Sequence, residues 1–256
     1  MIFLNGKLLS RFLQGALSIV GDDTPSLERF ISDFESYFKA VVLEAEDRAT
    51  GHRRSIDQLL ALRRNTIGGK PTFAYLGFGL NIPDAVFDNP VMISLIEDGC
   101  DLISLINVSH PIISLTEVNH KTYIELLKDM HSYGVERSRG LDRHNIITVI
   151  MEEYHLDLQQ ALYWLSGYIS KTVSNFLSNS CSLPTWGEKI DKAVSVYVDQ
   201  IGTCVSGNEA WSYETKRYYG EDGLKVQACR KATFQRYARD FELVTREQFE
   251  LETAGA

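Results

Sequence analysis

The chain has 256 residues, of which 44% are hydrophobic and 11% aromatic, enough to bury one sizeable core. That composition excludes disordered, collagen-like and membrane classes, and the length fits one domain or at most two small ones. The net charge of −8 argues against a general nucleic-acid binder, which carries a basic face.

In chain order the pattern is helical. Residues 26–51 place Leu27, Phe30, Ile31, Phe34, Phe38, Val41 and Val42 at spacings of three and four, an apolar stripe with charges opposite. Ser26 is a candidate N-cap there and Gly51 a candidate stop. A second helix fits 53–65, followed by a break at the paired glycines and Pro71. A short helix follows over 72–80, and Asn81 to Asp84 form a turn. Residues 91–107 are apolar nearly all round, which predicts a central helix. Further helices are expected over 142–155, 156–180 and 188–207, with 182–187 as a connector and a highly charged tail from Arg230. No repeat and no strand alternation emerges, so the expected fold class is all-α in one domain.

Four cysteines without a CxxC pair make neither a disulfide framework nor a zinc site, so Cys100, Cys181, Cys204 and Cys229 are expected reduced and partly buried. His131, His144 and His155 lack zinc-ligand spacing. No apolar run is long enough to span a bilayer, and Lys7 and Arg11 interrupt the apolar start, so neither a signal peptide nor a span is read and the default compartment is the cytoplasm. Composition leaves the oligomeric state open.

Three stretches carry candidate chemistry. Arg217 and Tyr218 offer a cationic fork and a phenol donor suited to phosphate oxygens, although a solvated helix end has the same composition. Arg63 and Arg64, followed by a helix break, can reach an anion or simply complement the negative end of a helix. Ser132 and Glu136 stand four apart and share a helix face as hard oxygen ligands suited to Mg2+, or as an ordinary polar face. No glycine-rich phosphate loop, Ser-His-Asp set or nucleophile elbow is present.

Together these stretches resemble class I terpene cyclases, specifically the basidiomycete-type fungal sesquiterpene synthases, from about Ser26 to Val226. The resemblance rests on EAEDRATGH (44–52), LRRNTIGGKP (62–71), LGFGLNIPDAVFDNP (76–90), SYGVERSRGLDRHNIITVIM (132–151), LPTWG (183–187) and WSYETKRYYGEDGL (211–224) in that order. It implies a helical bundle around a prenyl-diphosphate pocket, three Mg2+ ions, and ionisation of farnesyl diphosphate followed by cyclisation to a sesquiterpene. Arg217 and Tyr218 match the family's diphosphate-contacting pair. Arg63 matches its diphosphate-sensing arginine, with Thr66 and Ile67 in the linker and effector positions. Phe30, Phe34, Phe38, Phe73, Tyr75 and Phe78 either line that pocket or pack the core.

Two departures stand out. The family's second metal motif needs Asn, Ser and Glu at i, i+4 and i+8, yet Lys128 occupies the Asn position. A segment without family counterpart, VSHPIISLTEVNHKTYIELLK (108–128), precedes Asp129. Removing it puts Ser132 and Glu136 four and eight positions after Asn107 and restores the metal set Asn107, Ser132 and Glu136. The Val108-Ser109 and Lys128 codons admit splice signals, and the frame survives removal, so 108–128 is read as a translated intron rather than a surface loop. The aspartate-rich first metal motif is missing upstream of residue 44. Glu97-Asp98-Gly99-Cys100-Asp101 imitates it but shares a helix with Asn107, and Asp98 and Asp101 are expected to be exposed polar residues. The expectation is therefore an N-terminally shortened cyclase whose literal chain is weakly active or inactive. The alternatives are a catalytically dead descendant that binds a prenyl diphosphate or a partner, and a generic helical interaction module.

Overall fold

The computed structural model describes Arg11, Gln14, Gly15, residues 25–106 and residues 144–229. Among these residues every regular element is helical, as the periodicity predicts. In chain order they are α1 (Pro25–Thr50), α2 (Ile56–Thr66), α3 (Gly69–Leu76), α4 (Asp84–Phe87), α5 (Pro90–Ile106), α6 (Ile146–Glu153), α7 (Leu158–Cys181), α8 (Glu188–Glu214), α9 (Lys216–Tyr219) and α10 (Gly223–Cys229), with a 3-10 turn at Gly220–Asp222. None of these helices is long and apolar enough to cross a membrane.

Local chemistry sets the boundaries. Ser55 caps α2 and Asp157 caps α7, each in a reciprocal box with a glutamine three residues on (Gln58 and Gln160). Asn145, wholly buried, caps α6 by accepting from the Ile147 amide at 3.0 Å. Gly51 ends α1 with φ +69°, the left-handed conformation glycine adopts without strain.

Several expected boundaries move. Ser26 is not a cap. Pro25 already belongs to α1, and the Ser26 hydroxyl instead donates to the Gly77 carbonyl at 3.4 Å. The helix expected at 72–80 is α3, which begins at Gly69, because Pro71 lies in its first turn, where amides have no intrahelical acceptor to lose. The helix expected to end at 207 runs on to Glu214, and the packing leaves open space beside Gly207. Cys100 is buried and Cys204 half-buried, but Cys181 is exposed at the end of α7.

Helix α5 is the centre, packed by α2, α3, α7 and α8. Its Met92, Leu95 and Cys100 join Phe73, Val86, Tyr197 and Ile201 in one core. Its Leu102 and Leu105 join a second core with Leu59, Leu60, Ile146, Ile150, Leu165 and Ile169. Close approach on α5 depends on glycine. A Cβ at Gly99 would stand 2.7 Å from the Ile201 methyl and 3.1 Å from the Phe73 ring, and one at Gly69 would stand 2.8 Å from the Cys100 sulfur.

Candidate functional site

The last turn of α2 carries two adjacent arginines that face different surroundings. The Arg64 guanidinium turns onto α5 and grips Asp101 with two parallel bonds, Nε to Oδ1 and Nη2 to Oδ2, each 2.8 Å. Its third nitrogen, Nη1, reaches Glu97 at 2.6 Å. Hydrogen bonding to Asp101 and the charges of both carboxylates raise its already high pKa further. Tyr168 of α7 donates to Asp101 at 3.5 Å. Arg63 is half-buried, and its Nη2 donates to the His144 carbonyl at 3.4 Å. It forms no ion pair among the described residues.

The helix stops directly beyond. The Ile67 amide donates to the Arg63 carbonyl at 2.9 Å, and Gly68 follows with φ +76°. Thr66 and Ile67 are half-buried, and Ile67 packs against the core formed by α3, α5 and α8. The structure thus places Arg63, Thr66 and Ile67 on one helical turn.

The second cationic group lies after α8. Thr215 ends α8 and caps α9, accepting from the Arg217 amide at 3.4 Å. Arg217 is exposed, with its guanidinium carbon 5.4 Å from the centre of the half-buried Tyr218 ring. Trp211 meets Tyr218 edge-on at 6.4 Å. Among the described residues Arg217 forms no ion pair. Helices α2 and α8, which lead into the two groups, both pack against α5.

The acidic row on α5 overturns one expectation. Asp98 and Asp101 are 9% and 2% exposed, so they are buried rather than solvated. A buried carboxylate needs partners. Arg64 and Tyr168 serve Asp101, while Asn179 of α7 donates to Asp98 at 3.4 Å and to Ser94 at 3.0 Å. Burial and the neighbouring Asp101 charge push the Asp98 carboxyl up to about 6. The sequence signal was present, since Glu97 and Asp101 stand four apart on an otherwise apolar helix, where a carboxylate that is buried needs a partner opposite. Its source, Arg64, became visible only with the fold.

Among the described residues no group of three or more His, Cys, Asp or Glu could hold a metal ion. Asn107, Ser132 and Glu136 lie outside the described residues, as do His131 and the 108–128 segment.

The aromatic candidates divide. Phe30 and Phe73 are core, at 3% and 0% exposure. From Phe30 a continuous series of ring contacts runs outward through Phe34 (4.9 Å) to Tyr37 and Phe38, and through Phe78 (5.8 Å) to Tyr75. Phe38 and Tyr75 are 46% and 50% exposed.

The chain is similar to the sesquiterpene synthase Agr8 of Cyclocybe aegerita, 41% identical over 90% of this chain and 59% of that protein. It is also similar to a delta(6)-protoilludene synthase of Armillaria gallica, 36% identical over 79% of this chain and 53% of that protein. The chain therefore spans somewhat over half the length of these relatives. Among solved structures it resembles a single-substitution variant of cucumene synthase, with TM-score 0.63 and 18% identity over 83% of this chain and 64% of that one. A linalool/nerolidol synthase from Streptomyces clavuligerus superposes with TM-score 0.61 and 18% identity, over 75% of this chain and 61% of that one. These two share the class I helical fold. The family model described as terpene synthase family 2, C-terminal metal binding, matches residues 8–175, and the chain belongs to that family, whose description implies use of a divalent metal.

Proposed function

We propose that the protein is a Mg2+-dependent sesquiterpene synthase, which ionises farnesyl diphosphate, cyclises the allylic cation and releases diphosphate in the cytoplasm. The observation that carries this reading is a pair of cations with no ion-pair partner among the described residues, Arg63 at the α2 break and Arg217 in α9, in a chain 41% identical to a sesquiterpene synthase. Arg63 and Arg217 receive the negative charge of the departing diphosphate through charge-assisted hydrogen bonds. The Tyr218 phenol adds a donor. Thr66 and Ile67 link Arg63 to the rigid packing around α5, so that the arrival of the anion is felt at the helix break. The half-exposed rings of Phe34, Tyr37, Phe38 and Phe78 offer faces that stabilise a carbocation without quenching it.

Mg2+ supplies Lewis-acid neutralisation of the leaving group. Among the described residues no group of three or more His, Cys, Asp or Glu fits it. The donors proposed for it are Asn107, Ser132 and Glu136, brought to i, i+4 and i+8 spacing once 108–128 is absent. Three ions are proposed for the intact protein. Residues 108–128 are proposed to be a translated intron within a single, partial cyclase domain over 1–256.

The test is a version extended upstream and lacking 108–128, incubated with farnesyl diphosphate and Mg2+. Release of a cyclic sesquiterpene is expected. A folded version inert on farnesyl, geranyl and geranylgeranyl diphosphates sinks the reading. One observation favours a second reading: Lys128 brings an ammonium, which has donors only, to the Asn position of the metal motif. A chain that binds diphosphate without Mg2+, and loses that binding in Arg217→Ala, would be a binding protein with lost chemistry.

A further inference from the structure

We infer that Arg64 is a positioning residue, which fixes the last turn of α2 against α5 and α7 and so presents the adjacent Arg63 to the diphosphate. This rests on the diphosphate reading of Arg63 given above. Three observations support it.

The first is commitment. Arg64 spends Nε, Nη1 and Nη2 on Asp101 and Glu97 at 2.6–2.8 Å, and Asp101 is 2% exposed. A planar fork bonded at two parallel points fixes orientation as well as distance, which an ammonium cannot do. The second is place. Glu97 and Asp101 sit where α5 passes from the core containing Met92, Leu95 and Cys100 to the core containing Leu102 and Leu105. Asp101 is also held from α7 by Tyr168, whose ring stacks on Trp164 at 5.5 Å and 14°. The arginine therefore docks on a point already held by two helices. The third is geometry. Consecutive helical residues project about 100° apart, so anchoring Arg64 sets the direction of Arg63. The Ile67 amide bond to the Arg63 carbonyl lies within the same anchored turn.

A buried ion pair of this kind contributes little net stability compared with an apolar replacement, so its effect is expected in geometry rather than in Tm. Arg64→Met alone leaves Asp101 buried without a cation opposite it. The informative variants are therefore Arg64→Met/Asp101→Asn, which removes both charges, and Arg64→Lys, which keeps the charge without the fork.

The experiment titrates the full chain with inorganic pyrophosphate and Mg2+ by calorimetry and follows amide exchange across 62–68 by mass spectrometry. The unmodified chain is expected to bind and Arg63→Gln to lose binding. Both Arg64 variants are expected to keep their helical content and to bind about ten- to a hundredfold more weakly, with faster exchange confined to 62–68. Pyrophosphate affinity and exchange unchanged in the double variant would overturn the inference while leaving the diphosphate reading intact. Failure of the unmodified chain to bind pyrophosphate would overturn that reading and this inference with it.

Discussion

Asp98 is a carboxylate in surroundings that favour its neutral form. Burial, and then the charge of Asp101, raise it from the ordinary 3.8 to about 6, against the lowering effects of Asn179 and Arg64. A folded-state pKa above the unfolded one means that the native state binds more protons between about pH 4 and 6, so stability falls as pH rises through that window. Asp98→Asn keeps an acceptor for Asn179 and removes the buried charge. It is expected to raise stability by about 1–2 kcal/mol at pH 7.5, with the gain shrinking below pH 6 and vanishing near pH 4. Denaturant melts at the three pH values check it, and a constant gain would refute the assignment. Gly99 makes the opposite prediction. A methyl there meets Ile201, which is fully buried and cannot swing away. Gly99→Ala is expected to cost about 1–3 kcal/mol by overpacking, read from the same melts.

Helix termini obey local rules. Ser55 with Gln58, and Asp157 with Gln160, both close a reciprocal box within one turn of chain. Removal of the Asp157 side chain in Asp157→Ala is expected to cost about 1 kcal/mol, detectable as a lower denaturant midpoint with an unchanged slope. The N-terminus of α2 has a second support that sequence spacing does not reveal, since the Glu153 carboxylate accepts from the Ile56 amide at 2.7 Å across 97 positions. The start of α3 differs from its expected place for a related reason. Pro71 and its paired glycines read as punctuation, but a proline in the first turn is tolerated, and Gly69 is required there by the nearness of Cys100 rather than by a turn.

Across the bundle, the two cationic groups differ from the ion-paired arginines in having no carboxylate opposite them among the described residues. Arg29 pairs with Asp84, Arg54 with Asp47 and Arg64 with Asp101 and Glu97, whereas Arg63 and Arg217 do not pair. Arg217→Ala is therefore expected to change stability by no more than about 0.5 kcal/mol, as an exposed substitution does. The same variant should weaken pyrophosphate binding measured by calorimetry. Loss of stability with unaltered binding would make Arg217 a structural residue.

Much of this was legible in the chain alone. Periodicity of three and four determined that the protein is helical and where most helices lie, because that signal acts within a turn or two of backbone. Ordered motifs determined the family. Which of two adjacent arginines is committed, and that Asp98 and Asp101 are buried, were decided only by the tertiary structure. Arg64 and Asp101 are 37 positions apart and meet only because α2 packs on α5. Burial depends on what faces a side chain across that gap, and charge pairing over such distances is a property of packing rather than of neighbouring sequence.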